Sequence, residues 1–297
     1  MTGAHRDGPS VGELVRLESG QVEVEILPSI GARIHRLRVD GHDLLRTPAD
    51  VRRHLDDPYF WGSYAMAPWC NRVAAGRTTL AGRELDLPAT FPDGTAIHGQ
   101  VSRAAWSPVG DGSFRIRAGG DGWPWPYEVT QSLSVDDASV RLALGVTNRA
   151  DDPMPAGVGI HPWFVRPVRV AIGARAVHGS NLDPSPDPEP VSGVLDRRPL
   201  AELPDGLDAA WTDLTDPPLV LQWPATGLRA TIRVSSSVAY VVAASPAEID
   251  AVAVEPQTHA PAGIRRLLRG ERGGLTLVEP GATLGMTVEI AFDHTET

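Results

Sequence analysis

Two histidines and a glutamate stand out by their surroundings. His161 lies in Gly157-Val158-Gly159-Ile160-His161-Pro162-Trp163-Phe164, between an apolar run with two glycines and a Pro-Trp-Phe cluster. His98 lies in Ala96-Ile97-His98-Gly99-Gln100, also at the end of an apolar run. Glu255 directly follows Ala251-Val252-Ala253-Val254. Imidazole exchanges protons near neutral pH. A carboxylate at the mouth of a buried strand is costly unless it is paired or used. One of each, brought into a cleft, would suit general acid–base chemistry on a polar substrate. The glycines let another backbone or a ligand come close, and Trp163 or Phe164 offers an apolar wall. Plainer readings fit the same residues: a hydrogen-bonded core histidine, a strand-end glutamate facing water, and Asn71-Arg72 as a loop ion pair.

Other chemistries are excluded by spacing. Pro162 stands where a dinucleotide fingerprint starting at Gly157 needs its third glycine. No phosphate loop is possible, because the chain has no lysine. No His-Glu-x-x-His or paired-cysteine spacing marks a metal site, and no Gly-x-Ser-x-Gly marks a serine nucleophile. The net charge of −10 disfavours nucleic acid and anionic membranes as partners. One cysteine, Cys70, rules out an intrachain disulfide and fits a reducing compartment. Met1 to Glu13 lacks the apolar core of a signal peptide, and no run reaches the ~18 apolar residues of a membrane span. The expectation is a cytoplasmic protein, and nothing in the chain fixes its oligomeric state.

The elements that must position these residues read as strands. Glycine (30) and proline (27) separate short apolar runs, which favours many strands joined by turns. Val22, Val24 and Ile26 alternate with Glu23, Glu25 and Leu27. Asp40-Gly41 and Ala81-Gly82 mark hairpins. The segment from Trp61 to Arg72 has no regular period and reads as a loop or strand end. Gly122 to Tyr127 reads as an aromatic-proline turn. Residues 178–206, rich in Pro, Asp, Gly and Ser, read as a long surface excursion rather than a domain linker, because strand-like runs resume from Leu219 to Ile290. Pro246 to Ile249 is a candidate helical turn. The whole chain, 1–297, reads as a single all-β domain with a loose leader at 1–12.

The motifs together resemble those of the aldose 1-epimerases (galactose mutarotase-like proteins). Pro68-Trp69-Cys70-Asn71-Arg72-Val73-Ala74-Ala75-Gly76 resembles their Pro-x-x-Asn-Arg-x-x-x-Gly segment. Ile97-His98-Gly99, with Trp106 beyond it, is similar to their His-Gly motif. Gly157 to Phe164 is similar to their His-Pro-aromatic-Phe motif, Val254 to Thr258 to their glutamate motif, and Asp208 to Trp211 to an aspartate-aromatic segment. The matches come in family order from about Val22 to Phe292. The resemblance implies a galactose mutarotase-like β-sandwich (a supersandwich) with an open cleft on one large sheet. It implies interconversion of the α and β anomers of a small-molecule sugar, without cofactor or metal. His161 would be the general acid and Glu255 the general base. Arg72, His98 and Asp208 would bind the sugar, with Asn71 beside them and an aromatic face from Trp163 or Trp69.

Two positions depart from the family pattern. Ser102 stands where some members carry arginine, with Arg103 next to it, and Trp163 replaces the more frequent tyrosine. Asp213 lies close enough to compete with Asp208. Arg72, Arg77 and Arg103 keep a hexose-6-phosphate epimerase open as an alternative. A non-catalytic carbohydrate-binding protein on the same fold is the other.

Overall fold

A computed structural model of the chain describes residues 13–295 apart from 75 and 121. The expected leader at 1–12 lies outside the described residues. The alternating runs form one nearly continuous antiparallel sheet whose two halves face each other. One half runs, by pairing, through Ser107–Gly110, Ser113–Gly120, Trp123–Asp136, Ser139–Asn148, Thr283–His294 and Leu228–Val234. The other runs through Tyr240–Ser245, Ala251–Gln257, Gly159–Val165, Ser63–Met66, Arg33–Val39, Val22–Leu27 and Val15–Ser19.

Two long strands belong to both halves. Leu207–Trp223 pairs first with Tyr240–Ser245 and then with Leu228–Val234, while Arg169–His178 follows it along its other edge. They bend where the pair Ile172–Leu219 gives way to Ala174–Leu214, leaving residues 215–218 as a bulge. Gly173 sits at this bend. A Cβ there would lie 2.4 Å from Thr215 Oγ1 and 2.9 Å from the Pro217 carbonyl oxygen.

The inner faces meet in one core. Ile26, Leu37, Ile160, Phe164 and Val254 from one half join Leu142, Leu144, Met286, Val288 and Phe292 from the other. Burying each such side chain stabilises by ~1.5–3 kcal/mol. Successive side chains alternate between faces. Because Ile160, Phe164, Val252 and Val254 enter the core, His161, Trp163, Ala253 and Glu255 must face the other way. Short ribbons and loops cover part of that outer face, among them Arg72–Ala74 paired with Thr95–Ile97.

Both hairpins form as the Asp-Gly and Ala-Gly pairs require, with Asp40, Gly41, Ala81 and Gly82 all at positive φ. Three details differ from the sequence expectation. Trp123–Asp136 is one strand, not a turn followed by a strand. Trp123, Trp125 and Tyr127 point inward with period two, and the prolines between them lie before the pairing with Ser139–Asn148 begins at Tyr127. Ser63–Met66, inside the segment without period, is a wholly buried strand. Pro246 to Ile249 is a turn, closed by Ile249 N–H donating to the Pro246 carbonyl at 3.4 Å, and not helical. The α-helices among the described residues are Arg53–Asp56 and Gly263–Arg269, the latter ended by Gly270 at φ 66°. No described helix is long and apolar enough to cross a membrane.

Candidate active site

His161 and Glu255 are neither strand-end residues nor water-facing. Both lie inside strands. Gly159 pairs with Gln257 and Trp163 with Ala253, which sets His161 level with Glu255 on adjacent strands. His161 Nε2 lies 3.2 Å from Glu255 Oε1, and both side chains are buried. The close approach allowed by the two glycines is made by the protein itself. A Cβ on Gly157 would lie 2.0 Å from His259 Cδ2, and one on Gly159 would lie 2.8 Å from Cys70 Sγ.

Three rings enclose the imidazole. Tyr64 stacks on it at 4.7 Å between centroids and 22° between planes. His98 meets it edge-on at 4.9 Å, and Trp163 lies tilted at 5.1 Å. Trp163 is fixed by its own indole N–H, which donates to the Tyr59 carbonyl at 2.6 Å.

Asn71 and His98 lock one another, both at left-handed φ of 57° and 56°. His98 N–H donates to the Asn71 carbonyl at 3.1 Å, and Asn71 N–H donates to His98 Nδ1 at 3.2 Å. A backbone N–H only donates, so His98 Nδ1 accepts and its proton is placed on Nε2. Asn71 Oδ1 accepts from Gln257 Nε2 at 2.8 Å. His259 pins the same segment from behind. Its Nε2 accepts from Cys70 N–H at 2.9 Å and its Nδ1 donates to the Ala260 carbonyl at 2.7 Å.

These groups border a cleft of about 500 Å³. Arg72 reaches it from the ribbon, with its Nε donating to Asp93 Oδ2 at 2.8 Å and its guanidinium over the Phe91 ring. Asp208 enters from the long strand, and Asp213 does not. Asp213 sits at left-handed φ just before the bulge and pairs with Arg272. Asn181 and Leu182, from the long excursion, complete the wall. Trp69 does not supply an aromatic face, because it is buried against Trp123 at 5.1 Å. Arg77 pairs with Asp86 away from the cleft, and Arg103 lines a separate cavity of about 450 Å³ with Trp69 and Gly99. Of the three arginines that keep a phosphosugar open by sequence, the cleft therefore contains only Arg72.

Burial sets the protonation of the pair. It lowers His161 to about 3 and raises Glu255 well above the usual carboxylate range, the latter helped by Asp208 and opposed by Arg72. Burial also raises Asp208, against the Asn181 hydrogen bond and the Arg72 charge. A proton on Glu255 beside neutral His161 carries the same total charge as carboxylate beside imidazolium. One proton on the pair can therefore sit on either group without changing the charge of the site. His161 Nδ1, Glu255 Oε2, Asp208 Oδ1 and Asn181 Oδ1 have no hydrogen-bond partner among the described residues. Buried polar atoms of this kind suit a ligand rich in hydroxyls. No three His, Cys, Asp or Glu side chains among the described residues gather as metal ligands.

Tyr64 and Asn181 were not marked by the sequence. Tyr64 lies in the segment without period, though its place two residues before Met66 on a short apolar run was a usable signal. Asn181 lies in the Pro- and Asp-rich excursion, where nothing local distinguishes it.

Comparison with solved structures identifies the architecture. A galactose mutarotase-like protein from Clostridium acetobutylicum superposes with a TM-score of 0.81 at 17% identity, covering 94% of this chain and 95% of that one. An aldose epimerase homologue from C. elegans gives 0.80 at 16% identity, covering 96% and 99%. The fold is the galactose mutarotase-like one. Among curated proteins, the uncharacterized protein YphB of Escherichia coli is 28% identical over 116 residues, 38% of this chain and 40% of that protein. Mouse galactose mutarotase is 25% identical over 170 residues, 53% of this chain and 48% of that protein. The chain thus spans less than half the length of these two curated relatives. The sequence profile of aldose 1-epimerases matches residues 13–262, a stretch that contains the ribbon, the His161 strand and the Glu255 strand, and the chain belongs to the aldose 1-epimerase family.

Proposed function

We propose that the protein interconverts the anomers of an unphosphorylated aldose, with Glu255 as the base at the C1 hydroxyl and His161 as the acid at the ring oxygen. The observation that carries this reading is the 3.2 Å contact between His161 Nε2 and Glu255 Oε1 on the cleft floor. Glu255 takes the proton of the C1 hydroxyl while the C1–O5 bond breaks. The bonding pair goes to O5, which takes the proton of His161. The open-chain aldehyde rotates about C1–C2, and the same two groups return their protons in reverse to close the other anomer. Opening leaves protonated Glu255 and neutral His161, the form that burial favours. Sugar hydroxyls donating to Oε2 favour the carboxylate and so move the shared proton to His161 before the step. Arg72, His98, Asn181 and Asp208 hold the hydroxyls, Asn71 fixes His98, and Trp163 bounds the ring.

A free sugar fits better than a phosphosugar. Arg72 is already engaged by Asp93, and the cleft carries the carboxylates of Asp208, Glu248 and Glu255. Polarimetry of freshly dissolved α-glucose, α-galactose and α-glucose 6-phosphate tests the reading. Faster mutarotation of a free sugar, with no effect on the phosphate, is expected. Acceleration of the phosphate alone would replace the substrate class. Tight binding of a sugar with no acceleration would make the protein a non-catalytic carbohydrate binder.

A further inference from the structure

Arg33 lies beneath the site and does not itself line the cleft. Its side chain is wholly buried, and among the described residues no carboxylate forms a salt bridge with it. Neutral groups hold it instead. Nε donates to the Ile30 carbonyl at 3.3 Å, Nη1 to His54 Nδ1 at 3.0 Å and the Trp61 carbonyl at 3.4 Å, and Nη2 to the Ser102 carbonyl at 3.0 Å. The carboxylate whose charge acts on it, Asp57, is itself engaged by the Trp61 indole N–H at 3.1 Å. A buried cation without a partner anion is expensive.

The hydrogen bonds around it are directional. A guanidinium only donates, so His54 Nδ1 accepts and the His54 proton is on Nε2. That proton is donated to His35 Nδ1 at 2.9 Å. Burial lowers His54 to about 2 and also lowers His35, so neither ring takes up the charge. The positive charge stays on Arg33. The guanidinium lies over the Tyr64 ring at 5.2 Å, and that ring stacks on His161 at 4.7 Å. Tyr64 is steadied at its other end, where its hydroxyl donates to the Tyr59 carbonyl at 3.2 Å.

We propose that Arg33 is a positioning residue of the active site: its unneutralised guanidinium holds the Tyr64 ring against His161 and, across that ring, keeps the imidazolium a strong proton donor. The proposal rests on the acid–base reading given above. The other groups facing His161 are Glu255 at 3.2 Å, His98 edge-on, Trp163, and the charge of Arg72. Burial opposes the imidazolium most, a backbone hydrogen bond at His161 itself favours it, and the charges of Arg33 and Arg72 oppose it. Arg33 is at most about 10 Å from the imidazole by way of the ring. At an effective dielectric constant of ~20, one charge at that distance changes proton affinity roughly tenfold.

The test compares Arg33→Gln, which keeps donors but no charge, with Arg33→Lys, which keeps the charge. His161 is titrated by imidazole NMR, and anomer exchange is followed against pH by saturation transfer. The exchange needs one proton on the pair, so its acid limb marks the second proton, taken up by His161. In Arg33→Gln the His161 titration and the acid limb both move up by about one pH unit, and Arg33→Lys returns both toward wild type. A structural role alone lowers the rate in both variants and moves neither titration. Arg33→Met replaces Arg33→Gln should the latter not fold. A wild-type His161 titrating near 6.5, or an unmoved titration in the neutral variant, overturns the proposal. Wild-type protein that speeds no aldose overturns the acid–base reading instead, and the NMR titration still decides the role of Arg33.

Discussion

Replacing the Glu255 carboxylate by an amide keeps the shape of the side chain and removes its basicity. Glu255→Gln and His161→Asn are each expected to slow anomer exchange by at least ~10²-fold. Sugar affinity, measured by calorimetry, stays within a fewfold, because Arg72, His98 and Asp208 remain. The double variant loses less than the product of the two, since one proton serves both residues. Full exchange in Glu255→Gln would remove it as the base. His161 and Glu255 were legible in the sequence because strands of small apolar residues isolate them and the alternation fixes their face. Their contact was not legible, because it depends on the register between strands nearly a hundred residues apart. The tautomer of His98 was hidden for a like reason. It is set by the left-handed backbone of Asn71, which side-chain patterns do not report.

The long excursion is held in place by the short helix Gly263–Arg269. Arg266 is buried and donates to the carbonyls of Pro261, Ser185, Pro186 and Arg272 at 2.7–3.1 Å. Arg265 adds a bond to the Pro184 carbonyl at 2.9 Å. These contacts set the loop that carries Asn181 and Leu182 to the cleft. Arg266→Leu leaves several carbonyls without a donor, at ~1 kcal/mol or more each, so a loss of about 3 kcal/mol in stability is expected. Sugar binding should weaken by about tenfold while saturated turnover changes less, which denaturant titration and initial-rate kinetics distinguish. Unchanged affinity would detach the excursion from substrate recognition. The excursion was legible as a loop from its prolines, but its anchoring was not, because the helix that holds it lies some eighty residues downstream. The aromatic-proline stretch misled in the other direction. Two prolines signalled a turn, whereas the Trp-Pro-Trp-Pro-Tyr order places every ring on one face and leaves the prolines where pairing is sparse.

The whole molecule carries its buried histidines uncharged. His54, His161 and His259 are lowered to about 2, 3 and 4 by burial, His178 to about 4, and His35 and His98 are lowered by it as well. An unfolded chain protonates these six as pH falls through ~6.5, and the folded protein takes up those protons only at lower pH. Their contribution is therefore complete above ~6.5 and declines as pH drops toward 4, at ~1.4 kcal/mol per pH unit for each residue. Urea midpoints at pH 7, 6 and 5 should fall with a net uptake of several protons on unfolding, the histidines outweighing the protons that Glu255 and Asp208, raised in the folded protein, give up, and a pH-independent midpoint would contradict these assignments. The all-β architecture was legible from alternation, turn residues and the lack of long amphipathic helices. The sharing of Arg169–His178 and Leu207–Trp223 between both halves was not, because a strand's pattern does not say where its partner changes. The levelling of His161 with Glu255 has a further consequence for how such a chain can diverge. One residue inserted in either strand upstream of its acid or base would turn that group into the core and its neighbour out. Drift in chain length is thus confined to the excursion and the turns, and lineages descending from this sequence would keep the spacing from Gly159 to Trp163 and from Ala251 to Gln257 while their loops grow and shrink.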